Sequence, residues 1–569
     1  MKTEYQELYT EAGEKLKDQP LRIPWNVYPR PHMRRGEWRN LNGDWDFETE
    51  NGYKGRIRVP FCPESLLSGF EGTIRYGEKL TYKRTFEVPI DWAGKNIILN
   101  LGAISRVSTV YLNGKQVGDT GMFAYFPRSI DITDELEPGE NRLEIICIND
   151  LDPQFPYGKQ KLKRGGMWYT PVSGIWQTVW IEPVPKEHIE EIACISDGDT
   201  VSVTVYGVSV GAVRFEGAEY QLKNGCCSFT VDSPRFWSPE EPNLYEFTAA
   251  CGEDVVHSYF ALRTVAIGES GGRQRFLLNG KPYFFNGLLD QGYYSDGLWT
   301  PSEPAEYERD IMKAKSLGFN MLRKHIKIEP ELFYYYCDRL GIAVFQDMVN
   351  NGKYRFFHDS VLPTIGVTAM NDKRLHRDAE TQECFLASMQ ETVRFLRCHP
   401  SIVYWTVFNE GWGQFDADRM YTALKHLDPT RIIDATSGWF RRTKSDVESL
   451  HIYFRKLHLS KHTDRPQVIS EFGGFVYKFP EHSFNLKKTF GYKLFKTREQ
   501  FVTDLRRLYS EDVLPLIEKG LCAAVYTQLS DVEDETNGIM TYDRRIMKLL
   551  PEEFSDISGK LKNEQIREK

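Results

Sequence analysis

The sequence predicts three domains: an N-terminal jelly-roll β-sandwich at residues 1–185, an immunoglobulin-like β-sandwich at 186–266, and a C-terminal (β/α)8 TIM barrel at 267–569. Three observations predict them. The 569 residues exceed what one hydrophobic core holds. Up to about residue 266 the chain reads as short alternating strands broken by turns, with helical periodicity only at 3–17. After residue 275, short apolar runs alternate with amphipathic helical segments, as a parallel α/β arrangement requires.

In the first domain the runs 82–88, 107–112 and 142–148 read as strands, and Asn113-Gly114 between two such runs is a strong hairpin signal. In the second, 200–205 and 245–249 alternate in the same way, and eighty residues of this texture suit a small sandwich. In the third, eight strands are predicted at Tyr283–Leu289, Phe319–Leu322, Ala343–Phe345, Ile402–Phe408, Arg431–Asp434, Leu450–Tyr453, Gln467–Ser470 and Ala523–Gln528. Helices are predicted at 303–316, 330–340, 381–397, 416–426 and 498–518. A barrel of this kind carries its chemistry just after the strands, at their carboxyl ends.

Composition excludes several classes of function. A formal net charge of -8 leaves no basic excess to neutralise phosphates, which argues against a nucleic-acid partner. The basic cluster at 159–164 is read as a solvated loop. No apolar run approaches the ~20 residues that cross a bilayer, and the charged N-terminus lacks the apolar stretch of a secretion signal. Ten cysteines without a CxxC pair fit reduced thiols in a cytoplasmic protein. No HExxH or similar spacing is present, so neither a metal nor another cofactor is expected.

The fourth predicted strand ends at Asn409-Glu410-Gly411 and the seventh at Glu471-Phe472-Gly473, which places one glutamate from each at the mouth of the barrel. Two carboxyls in one partly dry pocket cannot both ionise comfortably, so one pKa is expected to rise while the other stays low. That division suits glycoside hydrolysis, and a separation of ~5 Å implies the retaining route through a covalent glycosyl-enzyme. Glu410 is assigned as acid/base and Glu471 as nucleophile.

With these residues in place, the chain resembles glycoside hydrolase family 2, the group of β-galactosidases, β-glucuronidases and β-mannosidases. The resemblance runs through 41–47, 59–65, 110–114 and 173–177, then from Cys398-His399-Pro400 to Asn409-Glu410, and at Ile469-Ser470-Glu471-Phe472. It implies that Asn409 hydrogen-bonds the sugar 2-OH, that Arg323 keeps Glu471 ionised, and that Tyr453 gives Glu471 a hydroxyl partner. It also implies a sugar contact for Asp290 and a platform under the sugar for Tyr526, with His325 and His451 as pocket residues. A homo-oligomer is compatible with the family.

The departures bear on the substrate. Residues 323–330 differ from the Arg-x-x-His-Tyr-Pro pattern of many galactosidases and glucuronidases, and 345–348 lack the carboxylates that hold magnesium in the long galactosidases. The segment 527–535 is acidic where glucuronidases carry an Asn-x-Lys pair, and Asn485-Leu486-Lys487 has that spacing but lies between strands seven and eight. An acidic segment repels a sugar carboxylate, which favours a neutral sugar. The expectation is a retaining exo-β-glycosidase of β-galactosidase type. Its alternatives are a β-glucuronidase or β-mannosidase of the same family, a transglycosylase, and a non-catalytic carbohydrate-binding protein.

Overall fold

Period-2 alternation in the first third of the chain becomes two antiparallel sheets, as seen in a computed structural model that describes residues 4–362, 367, 371–461 and 463–566. In Gly43–Thr49, Trp45 and Phe47 point inward while Asp44 and Asp46 face solvent. A six-stranded and a four-stranded sheet close over Trp45, Phe47, Tyr82, Leu99 and Ile145. The Asn113-Gly114 hairpin joins Val107–Leu112 to Lys115–Asp119, with φ of 52° and 85°, the paired left-handed residues that match strand twist. The helix expected at 3–17 is shorter, Glu11–Asp18, capped by Thr10; residue 3 lies outside the described residues. The second sandwich packs three strands against four around Val203, Phe215, Phe229 and Phe260.

The third region is an eight-stranded parallel sheet rolled into a nearly closed barrel. Its strands are β1 (Phe285–Asp290), β2 (Met321–Lys324), β3 (Ala343–Asp347), β4 (Ile402–Asn409), β5 (Ile432–Ser437), β6 (Glu448–Ile452), β7 (Gln467–Gly473) and β8 (Leu521–Thr527). The order is β5-β4-β3-β2-β1-β8-β7-β6. Inward residues such as Leu289, Met321, Val403 and Val525 fill the interior, and Tyr404 stacks on Phe345 at 4.1 Å. A small antiparallel sheet (Val265–Ser270, Arg273–Leu278, Lys281–Pro282) adds Phe276 to that interior cluster, against Phe285 and Tyr404.

Helices Ala305–Ser316, Glu331–Leu340, Ala379–Leu396 and Ala417–Leu427 match the expected segments to within two residues. The segment expected as one helix at 498–518 is instead Arg498–Arg507, a wide turn at Leu508–Val513, and Leu514–Glu518. Pro515 offers no N–H to the preceding turn and crowds it, which opens the register there. A further helix, Pro551–Ile566, was not foreseen.

A loop of the first sandwich crosses to the barrel mouth. Tyr157 donates its hydroxyl to the Gly352 carbonyl at 2.9 Å, and Trp168 meets Trp412 edge-on at 5.1 Å. No helix among the described residues is long and apolar enough to cross a membrane.

Candidate active site

Glu410 stands one residue beyond β4 with φ of 54°, and Gly411 follows at 71°. A Cβ at Gly411 would meet the Phe440 ring at 2.2 Å, so only glycine permits this turn. Glu471 lies in β7 two residues before Gly473, where a Cβ would strike the Tyr526 ring at 2.3 Å. The two strand ends bring one carboxylate oxygen of each glutamate within 4.8 Å of the other.

Arg323, at the end of β2, organises the floor of the site. Its guanidinium donates to Asp347 Oδ1 at 3.0 Å, Glu471 Oε1 at 3.2 Å, Asn409 Oδ1 at 2.8 Å and the Ser470 carbonyl at 3.0 Å. Holding Asn409 by its oxygen leaves the amide N–H groups free to donate. Tyr453 donates to Glu471 Oε2, and Thr527 lies 3.1 Å from the same hydroxyl. His451 Nδ1 is 2.8 Å from Glu410 Oε1 and 3.5 Å from Glu471 Oε2. His325 Nδ1 is 2.7 Å from Asp347 Oδ2.

The electrostatics follow from these contacts. Burial works against the Arg323 charge, but Asp347 and Glu471 outweigh it and hold the proton more tightly than usual. Burial pushes Asp347 up, yet Arg323 and His325 bring its pKa down to about 2. Burial, reinforced by the Lys159 charge, lowers His325 to about 4 against the pull of Asp347. For Glu410, burial raises the pKa, and the His451 contact with the charges of Lys159 and Arg323 more than reverses it. Sequence reasoning expected one glutamate of the pair to be raised. At Glu410 the direction is downward, because three cationic or proton-donating neighbours come from strands and loops distant in sequence.

Two expected residues are not brought to the pocket. Asp290 accepts from Lys324 Nζ at 2.6 Å and from the Gly292 amide at 2.9 Å, within a buried cluster that includes Glu329 and Lys327. Both oxygens are thereby engaged in holding the β1 and β2 ends. Tyr526 points away from the barrel interior, packs on Phe472 and receives the Phe475 amide at its hydroxyl. Strand alternation turns the next residue, Thr527, toward Tyr453 instead.

Residues that the sequence did not single out complete the mouth. Tyr492 stacks on Tyr453 with centroids 3.5 Å apart, and Tyr169 donates to Glu535. Burial raises Glu535 and the nearby Glu471 adds to it, while Lys159 opposes. Lys159, read as part of a solvated loop, is half-buried 6.0 Å from the Tyr169 ring, and its ammonium has no hydrogen bond or ion pair among the described residues. The acidic segment is also partnered: Arg164 and the Thr170 amide reach Glu533, Asn485 and the Gly166 amide reach Asp534, and Lys548 reaches Asp531. Asp347 was legible by the strand-end rule, while Lys159 and Tyr169 had no signal because their domain lies far away in sequence. Glu410, His451 and Glu471 each present one possible ligand atom, all within 4.8 Å of one another, so the three could also surround a small cation.

Models of three domains of one family match in order: the glycosyl hydrolase 2 galactose-binding domain-like model at residues 62–174, the glycosyl hydrolases family 2 model at 191–263, and the glycosyl hydrolases family 2 TIM barrel model at 272–475. The chain belongs to glycosyl hydrolase family 2. A β-galactosidase of Aeromonas hydrophila subsp. hydrophila is 28% identical over 403 residues, covering 64% of this chain and 36% of its own length. A putative β-glucuronidase of Formosa agariphila is 24% identical over 452 residues, covering 74% and 39%. The chain therefore spans under half the length of these curated relatives. Among solved structures, a β-glucuronidase of an uncultured Clostridium sp. superposes with a TM-score of 0.71 at 18% identity, covering 94% of this chain and 99% of that one. A β-galacturonidase of Eisenbergiella tayi gives 0.66 at 20% identity, covering 95% and 99%. These likenesses establish the shared family 2 architecture.

Proposed function

We propose that this family 2 chain is a retaining exo-β-glycosidase that releases terminal β-linked sugars by double displacement. The observation that carries the reading is the Glu410–Glu471 spacing, within 4.8 Å between oxygens, which suits a direct nucleophile and leaves no room for the water of an inverting enzyme. Glu471, held by Arg323 and Tyr453, attacks C1 as Glu410 protonates the leaving oxygen; Glu410 then draws a proton from the incoming water. The Asn409 amide, turned by Arg323, donates to the sugar 2-OH. Free thiols at all ten cysteines are in keeping with a cytoplasmic setting.

For the sugar, a β-galactoside is the first reading, supported by the relative at 28% identity. A uronic acid is the second. Lys159 favours it as an ammonium with no hydrogen bond or ion pair among the described residues, and the acidic segment that argued against a carboxylate is largely engaged elsewhere. A panel of aryl β-glycosides at pH 5–7 tests both, with Lys159→Gln alongside. On the uronide reading this substitution costs about 30-fold or more on uronides, the loss of a charge-assisted contact, and little on neutral sugars. Glu471→Gln should abolish turnover, and a 2-fluoro glycoside should label Glu471. Glu410→Ala should keep activity on activated aryl glycosides and gain rate with azide. Silence on every sugar would replace the reading with a carbohydrate-binding protein, and longer glycosides as products would make it a transglycosylase.

A further inference from the structure

We propose that the seam between the second sandwich and the foot of the barrel binds a small tetrahedral oxyanion, of the phosphate or sulfate class, on Arg263 and Arg397. Arg397 and Arg431 lie just before β4 and β5, so this seam is at the amino end of the strands, away from Glu410 and Glu471. The site does not depend on the glycosidase reading.

Arg263 is a cation without an answering charge. It follows the strand Asp254–Phe260 of the second sandwich and is half-buried. Its Nε and Nη1 are closed off from solvent, and no hydrogen bond or ion pair reaches the guanidinium among the described residues. Burial lowers its pKa to about 9 and the Arg431 charge adds to this, against a weaker pull from Asp428 and Asp338. Neither acid is free to pair with it. Asp338 lies 2.7 Å from His399 Nδ1 and accepts from the Tyr259 hydroxyl and the Ser401 amide, both at 2.8 Å. Asp428 accepts from Arg431 at 2.7 Å, the Thr430 hydroxyl at 2.6 Å and the Trp405 indole at 2.9 Å. A desolvated, unpaired guanidinium is costly, and an apolar side chain in its place would avoid that cost.

The space beside Arg263 suits an anion. Arg263, Arg397 and Arg431 line one cavity of about 150 Å³, and Asp428 is the single acid on its wall. Arg397 keeps an enclosed Nε with no hydrogen-bond partner, while its Nη2 reaches Tyr206 at 3.2 Å and Glu191 at 3.4 Å. Arg431 spends its donors on the Ile402, Arg397 and His399 carbonyls and on Asp428, so it adds positive charge to the cavity. Phe260, Pro400 and Leu427 complete an apolar wall, where attraction between opposite charges is screened less than in water. The planar guanidinium fork matches the oxygens of a phosphate or sulfate. The volume falls short of the ~300–1,000 Å³ of pockets for larger organic ligands, which selects the free ion over a phosphorylated sugar.

The position gives the ion a structural consequence. Arg263 belongs to the sandwich, and Arg397 leads into the root of β4 at Ile402. An ion held by both ties the second sandwich to the barrel and stabilises the folded chain by mass action.

The test is the thermal midpoint of the full chain titrated with sodium phosphate and, separately, sodium sulfate, with chloride keeping the ionic strength constant. The wild-type midpoint should rise by about 2–4 °C and saturate. Arg263→Met should lose the saturable rise. Freed of an unpaired buried charge, it should melt at or above the wild type in chloride alone, and the order should reverse in phosphate. Lys159→Gln, at the barrel mouth, should keep the rise in full, and its loss there would place the ion at the wrong end and count against the site. Phosphate and sulfate also stabilise proteins generally, by exclusion from the surface and without saturation. A rise that never saturates, or one that Arg263→Met retains, therefore overturns the proposal. A hexose phosphate that matches inorganic phosphate would overturn the choice of a free ion. Should Arg263→Met fail to fold, Arg397→Gln should weaken the apparent affinity about 5-fold or more, and an unchanged affinity would refute the site.

Discussion

Arg323→Met separates the roles assigned to the floor of the site. The guanidinium makes four hydrogen bonds, two of them to groups given roles in the reaction: Glu471 at 3.2 Å and Asn409 at 2.8 Å. A hydrogen bond to a charged group contributes ~1.5–3 kcal/mol. Losing both should cost about 3–6 kcal/mol of transition-state stabilisation, or about 10²- to 10⁴-fold in kcat/KM. A separate cost falls on stability. Asp347 is brought from its ordinary 3.8 to about 2, with Arg323 as the largest lowering influence. A shift of about 1.8 units corresponds to roughly 2.4 kcal/mol. That contribution is present above the unfolded value near pH 4 and is lost as pH falls through about 2, so it is full at neutral pH. Arg323→Lys keeps a charge but not the fork, and should lose about 10²-fold while recovering much of the thermal stability. The assay is kcat/KM on the best aryl β-glycoside of the panel and on its 2-deoxy analogue, with thermal midpoints measured in parallel. If Arg323 acts partly by aiming Asn409 at the 2-OH, the Arg323→Met penalty shrinks on the 2-deoxy substrate. A loss below tenfold, or identical losses on the two substrates, would refute the reasoning.

Tyr453→Phe removes the hydroxyl shared by Glu471 and Thr527; kcat should fall about 10- to 100-fold with little change in the melting midpoint, and an unchanged kcat would show that Glu471 does not need this donor. Asp296, enclosed beneath the N-terminal helix, is pushed up to about 6 by burial against the Thr10 hydrogen bonds. The folded state then binds a proton that the unfolded chain releases near its ordinary 3.8, so this group costs nothing at low pH and destabilises progressively as pH rises through that window, by about 3 kcal/mol in all. Asp296→Asn does not titrate; its melting midpoint relative to the wild type should be more favourable at pH 7.5 than at pH 4, and a difference independent of pH would contradict the assignment.

What could be read in the sequence follows from which interactions are local. β4 and β7 are runs of apolar residues that end at a glutamate and a glycine, and both the strand and its carboxyl end are set within ten residues. Arg323, Asn409 and Tyr453 were singled out by the family resemblance at the ends of β2, β4 and β6, and their contacts put them together. The rule says which end of a strand a residue occupies, but not which face. Asp290 and Tyr526 sit at the right ends with their side chains turned to the layer outside the barrel, because a short strand's phase cannot be counted from apolar residues when both faces are buried. The wide turn at Leu508–Val513 was hidden because the apolar spacing continues through it. The ionisation of Glu410 was beyond local reading for another reason. His451 comes from β6, Arg323 from β2 and Lys159 from another domain, and the sum of their charges exists only in the folded chain.

Lys159 leads to a consequence for the architecture. Glu533, Asp534 and Glu535 follow β8 in sequence, are buried, and lie beside a site that already holds Glu410 and Glu471. Buried carboxylates at this density are costly unless each has a partner. The barrel supplies Asn485 for Asp534 and Asn537 for Glu535. The other partners come from the first sandwich: Arg164 and the Thr170 amide for Glu533, the Gly166 amide for Asp534, and Tyr169 for Glu535. A barrel separated from that loop would expose or protonate these acids, and the charge around Glu410 and Glu471 would change with them. The sandwich loop is therefore a wall of the site, and the two domains depend on each other electrostatically, which explains why Arg164, in a basic stretch of an acidic chain, pairs with an acid 369 residues away.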